Sequence, residues 1–171
     1  MPVKRHSDLP THLQRRPAWV LAAGLAALAC IPVHAQAATT CNRPELQGQR
    51  RDAATIQRLE RAWSVAFLTG DARLESCLLL PAFTEIFGDG RTGHLGDELT
   101  LAQANQGKHL PIPALPGEKV SLHGDVAVAY GVSTSKRADG QVRKQWFADY
   151  YVWDHGAWHV YFAQQTPIKP R

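Results

Sequence analysis

Cysteine, methionine and long apolar runs are all scarce in this chain of 171 residues. It holds 3 Cys and 1 Met, and its longest uncharged apolar stretch, Ala18 to Val33, is about 16 residues. A spanning helix needs roughly 20 such residues, so the stretch falls short of a membrane anchor. Charge of one sign is not in large excess: 19 basic residues face 15 acidic ones. Charged residues make up 20% and apolar residues 44%, which excludes a mainly disordered chain. No repeat at solenoid spacing is visible. There is no Gly-x-Ser-x-Gly elbow and no phosphate loop. Gly88-x-Gly90-x-x-Gly93 has the letters of a dinucleotide fingerprint. No strand, loop, helix and parallel strand follow it, with an acid about 20 residues on, so it reads as a loop and no cofactor is expected. The length fits one domain, and a domain near 150 residues buries about 70% of its unfolded surface.

The first residues read as an address. Lys4, Arg5, Arg15 and Arg16 precede the apolar stretch, and small-x-small sites follow at Val33-His34-Ala35 and Ala35-Gln36-Ala37. That order is a secretory signal peptide over 1–37, with a periplasmic or secreted domain over 38–171 as the expectation. Arg15-Arg16 keeps a twin-arginine route open, and Leu28-Ala29-Cys30 a lipoprotein site. Removing 1–37 leaves 15 basic against 14 acidic residues. The basic character then belongs largely to the signal and gives no case for nucleic-acid binding. Arg50, Arg51, Arg58 and Arg61, interleaved with Asp52 and Glu60, read as a solvated face. Cys41 and Cys77 remain after cleavage, an even pair in an oxidising compartment, and a disulfide between them is expected. The alternative is two separate thiols.

Hydrophobic spacing supplies the elements. Ala53, Ile56, Leu59, Trp63, Ala66 and Phe67 share one face of a helix expected over Pro44–Leu68, with Gly70 as its left-handed cap. Asp71 is placed to cap a second helix over Ala72–Leu80 that Pro81 would stop. Ala82–Phe87 reads as a strand, Gly88-Asp89-Gly90 as a turn, and Gly96–Gln106 as a third helix with Leu99 and Ala102 buried. Lys108–Gly117, with three prolines, reads as a loop. The period then changes to two: Glu118–Leu122, Val126–Ser135, Val142–Trp153 and Ala157–Gln165 are strands joined by short turns, one at Ala138-Asp139-Gly140. Such strands pair antiparallel. Helices followed by a meander make an α+β domain, its helices packed on a strongly curved, mainly antiparallel sheet with a cavity between.

The order of these elements resembles the cone-shaped α+β barrel of nuclear transport factor 2-like proteins. Leu59-Glu60-Arg61-Ala62-Trp63 with Ala66 and Gly70-Asp71 is similar to that superfamily's first helix. Asp149-Tyr150-Tyr151-Val152-Trp153, Gly156, Trp158, Val160 and Gln164 are similar to its end. The likeness covers about Ile56 to Thr166 and is strongest to the group called domain of unknown function 4440, near SnoaL-like and ketosteroid-isomerase-like proteins. The resemblance implies a pocket, not a reaction, because this fold hosts many functions. In the isomerases a base lies on the strand after the second helix. Matching Ala82-Phe83-Thr84-Glu85-Ile86 to that strand puts Ile86 at the base position and turns Glu85 to the other face. The tyrosine donor on the first helix has no equivalent, since Trp63 and Phe67 carry no hydroxyl.

Asp149 is the candidate catalytic acid or base. It lies between Phe147 and Tyr151 on one strand face, where burial would raise its pKa. Tyr151 is the candidate oxyanion donor. Trp63, Phe67, Phe83, Glu85, Phe87, His94, Phe147 and Tyr161 are the candidate pocket residues, with His94 at its rim. His94, His109, His123, His155 and His159 show no metal spacing with a third ligand, so no metal is expected. The leading expectation is an exported domain that binds a small apolar molecule without turning it over. An isomerase- or cyclase-like enzyme using Asp149 is the second. The third is a dimerisation or interaction module, since Val142–Trp153 carries aromatics on both faces and one could meet a second copy.

Overall fold

The computed structural model describes residues 41–169 apart from 114, 116 and 137–139. The predicted signal, with Cys30, and Ala138-Asp139 of the predicted turn lie outside the described residues.

Helix α1 spans Ala53–Thr69. The Asp52 carboxylate caps it by accepting from Thr55 N at 2.8 Å, and Gly70 ends it in the left-handed region. A side chain at Gly70 would also meet the Gln106 backbone at 2.7 Å, so glycine is needed twice over. The single helix expected over Pro44–Leu68 is therefore two pieces. A 3-10 turn, Pro44–Leu46, stops where Gln47 turns extended and Gly48 takes a positive φ, and the helix restarts after Asp52. Helix α2, Ala72–Leu78, is capped by Asp71, which accepts from Leu74 N at 3.0 Å. It ends earlier than expected because β1 already begins there, at Leu79–Ile86. Pro81 sits inside this strand, where its pairing with the last strand shifts register, a position that tolerates a missing donor.

A short strand that sequence patterning missed, β2 (Thr92–His94), pairs with β1, and α3 follows at Leu95–Asn105. The meander is β3 (Lys119–His123), β4 (Val126–Lys136), β5 (Val142–Asp154) and β6 (Ala157–Pro167). The sheet runs β2-β1-β6-β5-β4-β3; β6 returns to lie parallel to β1, and the other pairs are antiparallel. The helices pack on its inner face. Ile56 and Leu59 of α1 meet Phe83, Phe147, Tyr151, Trp158 and Val160 there. Each large side chain removed from water in this way contributes about 1.5–3 kcal/mol. Leu99 is only half-buried, and Ala102 is the apolar residue that α3 buries fully.

Two ties hold the segment before α1. Cys41 and Cys77 are joined as a disulfide, with Cα atoms 5.6 Å apart. Gln49 Oε1 accepts from Trp158 N at 2.7 Å, and the Arg50 carbonyl accepts from the Trp158 indole at 2.8 Å. One buried tryptophan thus satisfies the Arg50 carbonyl, and its own backbone N–H is satisfied by the Gln49 side chain.

Candidate functional site

The inner face of β5 presents Arg143, Gln145, Phe147 and Asp149 at alternate positions. Most of their cross-strand neighbours are small. Ala129 and Ala163 flank Asp149, Gly131 and Gln165 flank Phe147, and Ser133 and Pro167 flank Gln145. A side chain at Gly131 would stand 3.2 Å from the Phe147 ring. Small residues beside large ones leave space unfilled, and the helices do not close it. A cavity of about 390 Å³ remains between α1, α3 and the sheet. That is ample for a small ligand.

Its walls are apolar: Trp63, Phe67 and Leu68 from α1, Leu101 from α3, Phe87 after β1, and Phe147 and Ala163 from the sheet. Its inner end is acidic. Glu60, Glu85, Glu98 and Asp149 all line it, and each is nearly inaccessible to solvent. The acids stand in two pairs. Asp149 interacts with Glu60, which accepts from Tyr151 Oη at 2.7 Å. Glu98 interacts with Glu85 and with the Trp63 indole. Glu85 also accepts from Gln165 Nε2 at 2.7 Å, and Gln165 in turn accepts from Gln145. Two buried carboxyl groups that interact this closely resist ionising together, which favours one retained proton per pair.

Burial is the first cause of an upward pKa shift in all four acids. Like charge adds to it: Glu60, Glu85 and Glu98 push Asp149 up, and Glu85 and Glu75 push Glu98 up. Asp149 and Glu60 therefore titrate as a pair, and the raised affinity for a proton belongs to the pair. Glu85 and Glu98 do the same. Behind this group lies Glu75 of α2, fully buried, both its oxygens without a partner, its pKa raised to about 8 chiefly by burial and then by Asp71 and Glu85. Tyr151 is also pushed well up, by burial and then by Glu60. Among the described residues no group of three or more His, Cys, Asp or Glu is placed to hold a metal ion.

Of the residues singled out from sequence, Trp63, Phe67, Glu85, Phe87, Phe147 and Asp149 line this cavity. Three do not. Phe83 is fully buried core, edge-on to Trp63 with ring centres 5.8 Å apart. His94 is exposed at the start of α3, where its backbone N–H donates to Asp97 at 2.9 Å. Tyr161 stands on the outer face of the sheet beside Tyr150. Tyr151 is fully buried and faces Glu60, one group removed from the cavity, so it positions Glu60 and has no access to a ligand's oxygen. Two expectations about β1 and α1 are reversed. Glu85, not Ile86, points into the cavity, because Phe83 and Glu85 share the buried face. Glu60 is interior, not part of a solvated face. Glu98, Gln145 and Gln165 were missed altogether. The signal for Glu60 was present: it lies four residues after Ile56 and three before Trp63, on the apolar stripe itself.

No protein-family model matches the sequence, and no curated protein matches it. Solved structures do. A nuclear transport factor 2-like protein from Cytophaga hutchinsonii superposes with a TM-score of 0.62 at 16% identity, over 70% of this chain and 100% of that one. A protein from Exiguobacterium sibiricum described as a calcium/calmodulin-dependent kinase II association domain gives 0.60 at 18% identity, over 72% and 100%. A nuclear transport factor 2-like protein of unknown function in nutrient uptake from Rhodospirillum rubrum gives 0.54 at 21% identity, over 69% and 99%. Identities this low establish architecture and not activity, and the architecture is that of the nuclear transport factor 2-like, cystatin-like α+β cone.

Proposed function

We propose that this domain, exported by the segment 1–37, binds a small molecule in the cavity between its helices and sheet. The observation that carries the reading is the cavity's make-up: aromatic walls ending in four buried acids. Apolar lining with a few convergent polar groups is the usual composition of a ligand cleft. The acids amend the expectation of a wholly apolar ligand. An apolar body suits the walls, but burial against unfilled carboxyl groups would be costly unless the ligand also brings a polar head. Native mass spectrometry on mature protein from an exporting host tests the reading. A mass excess that disappears on denaturation supports it. Protein that is always empty, and takes up no probe at millimolar concentration, contradicts it.

Self-association is a second reading, favoured by the outer face of the sheet. Tyr130, Trp146 and Tyr161 are exposed there beside Tyr150 and Phe162, and Trp146 is 54% accessible. An aromatic patch of this kind marks an interaction surface. Structural neighbours are described as association and hub domains. A homodimer through this face is the form we propose.

An enzyme remains a third reading, with one change from the sequence expectation. Burial and the neighbouring acids raise the Asp149 pKa, which favours service as an acid rather than a base. Loss of turnover in Asp149→Asn with an unchanged unfolding midpoint would support catalysis.

A further inference from the structure

We infer that the ligand's buried end is an organic cation, a protonated amine on an aromatic or aliphatic body, and that its entry is balanced by release of a proton from the carboxyl pairs. This rests on the reading of the cavity as a ligand site and adds to it the charge class of the occupant.

Four observations lead there. First, the donors that reach the acids are neutral, Tyr151 to Glu60 and Gln165 to Glu85, and among the described residues no lysine or histidine lines the cavity. The cationic side chains on the lining are Arg91 and Arg143, both exposed. Arg91 is spent on Asp89 at 2.8 Å. Arg143 lies six residues from Asp149 along β5, roughly 20 Å between Cα atoms at about 3.3 Å per residue, and its guanidinium is directed to the turn at Gly88. Second, Glu75 is fully buried behind Glu85 with both oxygens unpartnered, and Glu118 adds its charge to Glu60. Third, Trp63, Phe67, Phe87 and Phe147 wall the same space, and aromatic faces attract ammonium groups where water is excluded. Fourth, four buried carboxyl groups crowd one end of the cavity and so can exchange a proton. A carboxyl pair holding one proton carries a single negative charge. When an ammonium group binds against it, the second carboxyl ionises and one proton passes to the buffer. The cation that enters is then matched by the cation that leaves, and the net charge of the interior does not change.

The test uses three molecules of one shape: 2-phenylethylamine, 2-phenylethanol and phenylacetate. Titration calorimetry on the whole mature protein at pH 7 is run in two buffers of very different ionisation enthalpy. The expected result is amine binding at least tenfold tighter than alcohol, with no binding of the acid. The apparent heats in the two buffers should differ by the release of up to one proton. Asp149→Asn and Glu98→Gln should each weaken the amine about tenfold or more and shrink the buffer difference. If these variants do not fold, the two-buffer comparison on the unmodified protein still decides. Alcohol or acid binding as tightly as amine overturns the charge class while leaving the cavity reading intact. Amine binding with equal heats in both buffers overturns the proton exchange. No binding of the amine overturns the inference outright, and native mass spectrometry then judges the cavity reading separately.

Discussion

Glu75 should cost this protein stability at neutral pH, and replacing it should return that stability in a pH-dependent way. The side chain is fully buried, and neither oxygen has a partner. Its pKa stands at about 8, against 4.5 for an ordinary glutamate. The folded state therefore holds the proton more tightly than the unfolded chain does. Glu75 favours folding fully below about pH 4.5, and that contribution is lost as the pH rises through the folded value near 8. At pH 7 the loss is about 3 kcal/mol, and above pH 9 it approaches about 5, at roughly 1.4 kcal/mol per pKa unit. A typical domain has only about 5–15 kcal/mol in total. Glu75→Gln keeps the shape and removes the titration. Urea unfolding of both proteins, disulfide intact, at pH 4.5, 6, 7.5 and 9 reads the difference. The two should be close at pH 4.5, and the variant should gain as the pH rises, by about 3–4 kcal/mol at pH 7.5, because the cost of its unsatisfied amide does not change with pH. A constant offset at all four pH values would refute the reasoning, because it would mean that Glu75 titrates alike in the folded and unfolded chains.

Other outcomes follow from the same geometry. Breaking the Cys41–Cys77 bond opens a loop spanning 36 residues and should cost about 3–4 kcal/mol on the loop-entropy account. Urea midpoints with and without reductant measure it, and alkylation of either thiol in unreduced protein would show the bond absent. Tyr151→Phe removes a buried bond to Glu60 and should cost about 1–3 kcal/mol. It should also raise the Glu60 pKa further, since that bond holds it down, which carboxyl-selective infrared titration can follow. Gly93→Ala would place a methyl 2.5 Å from the Phe87 ring. It should displace that wall of the cavity and weaken probe binding; an unchanged affinity would mean the ring is not used. Trp146→Asp should give a soluble monomer by sedimentation, and an unaltered dimer would exclude the outer face.

The fold was legible because it depends on periodicity, and the acidic interior was not because it runs against it. Apolar spacing locates α1, the meander and the change of period between them, and Asp52, Gly70 and Asp71 act as the caps their residue types suggest. Where the reading failed, a local irregularity overrode the pattern. Gly48 interrupts the helix expected from Pro44, and a register shift lets Pro81 sit inside a strand. The site is a different case. A glutamate among apolar residues is normally assigned to the surface, since an isolated buried charge is prohibitively costly. That argument applies to one acid at a time. Glu60 comes from α1, Glu85 from β1, Glu98 from α3 and Asp149 from β5, and folding brings them together as pairs. A pair that shares a proton carries one charge between two groups, and Tyr151 or Gln165 solvates that charge with a hydrogen bond. Burial becomes tolerable only in company. Asp149 was recognisable because it alternates with Phe147 and Tyr151. Glu85 alternates with Phe83 and Phe87 in the same way, so its face was readable from the aromatics. The pairing itself was not, because nothing in one segment records which acid another segment will bring. A chain that gathers proton-sharing carboxyls beside an open cavity has put its least stable chemistry where a ligand can change it.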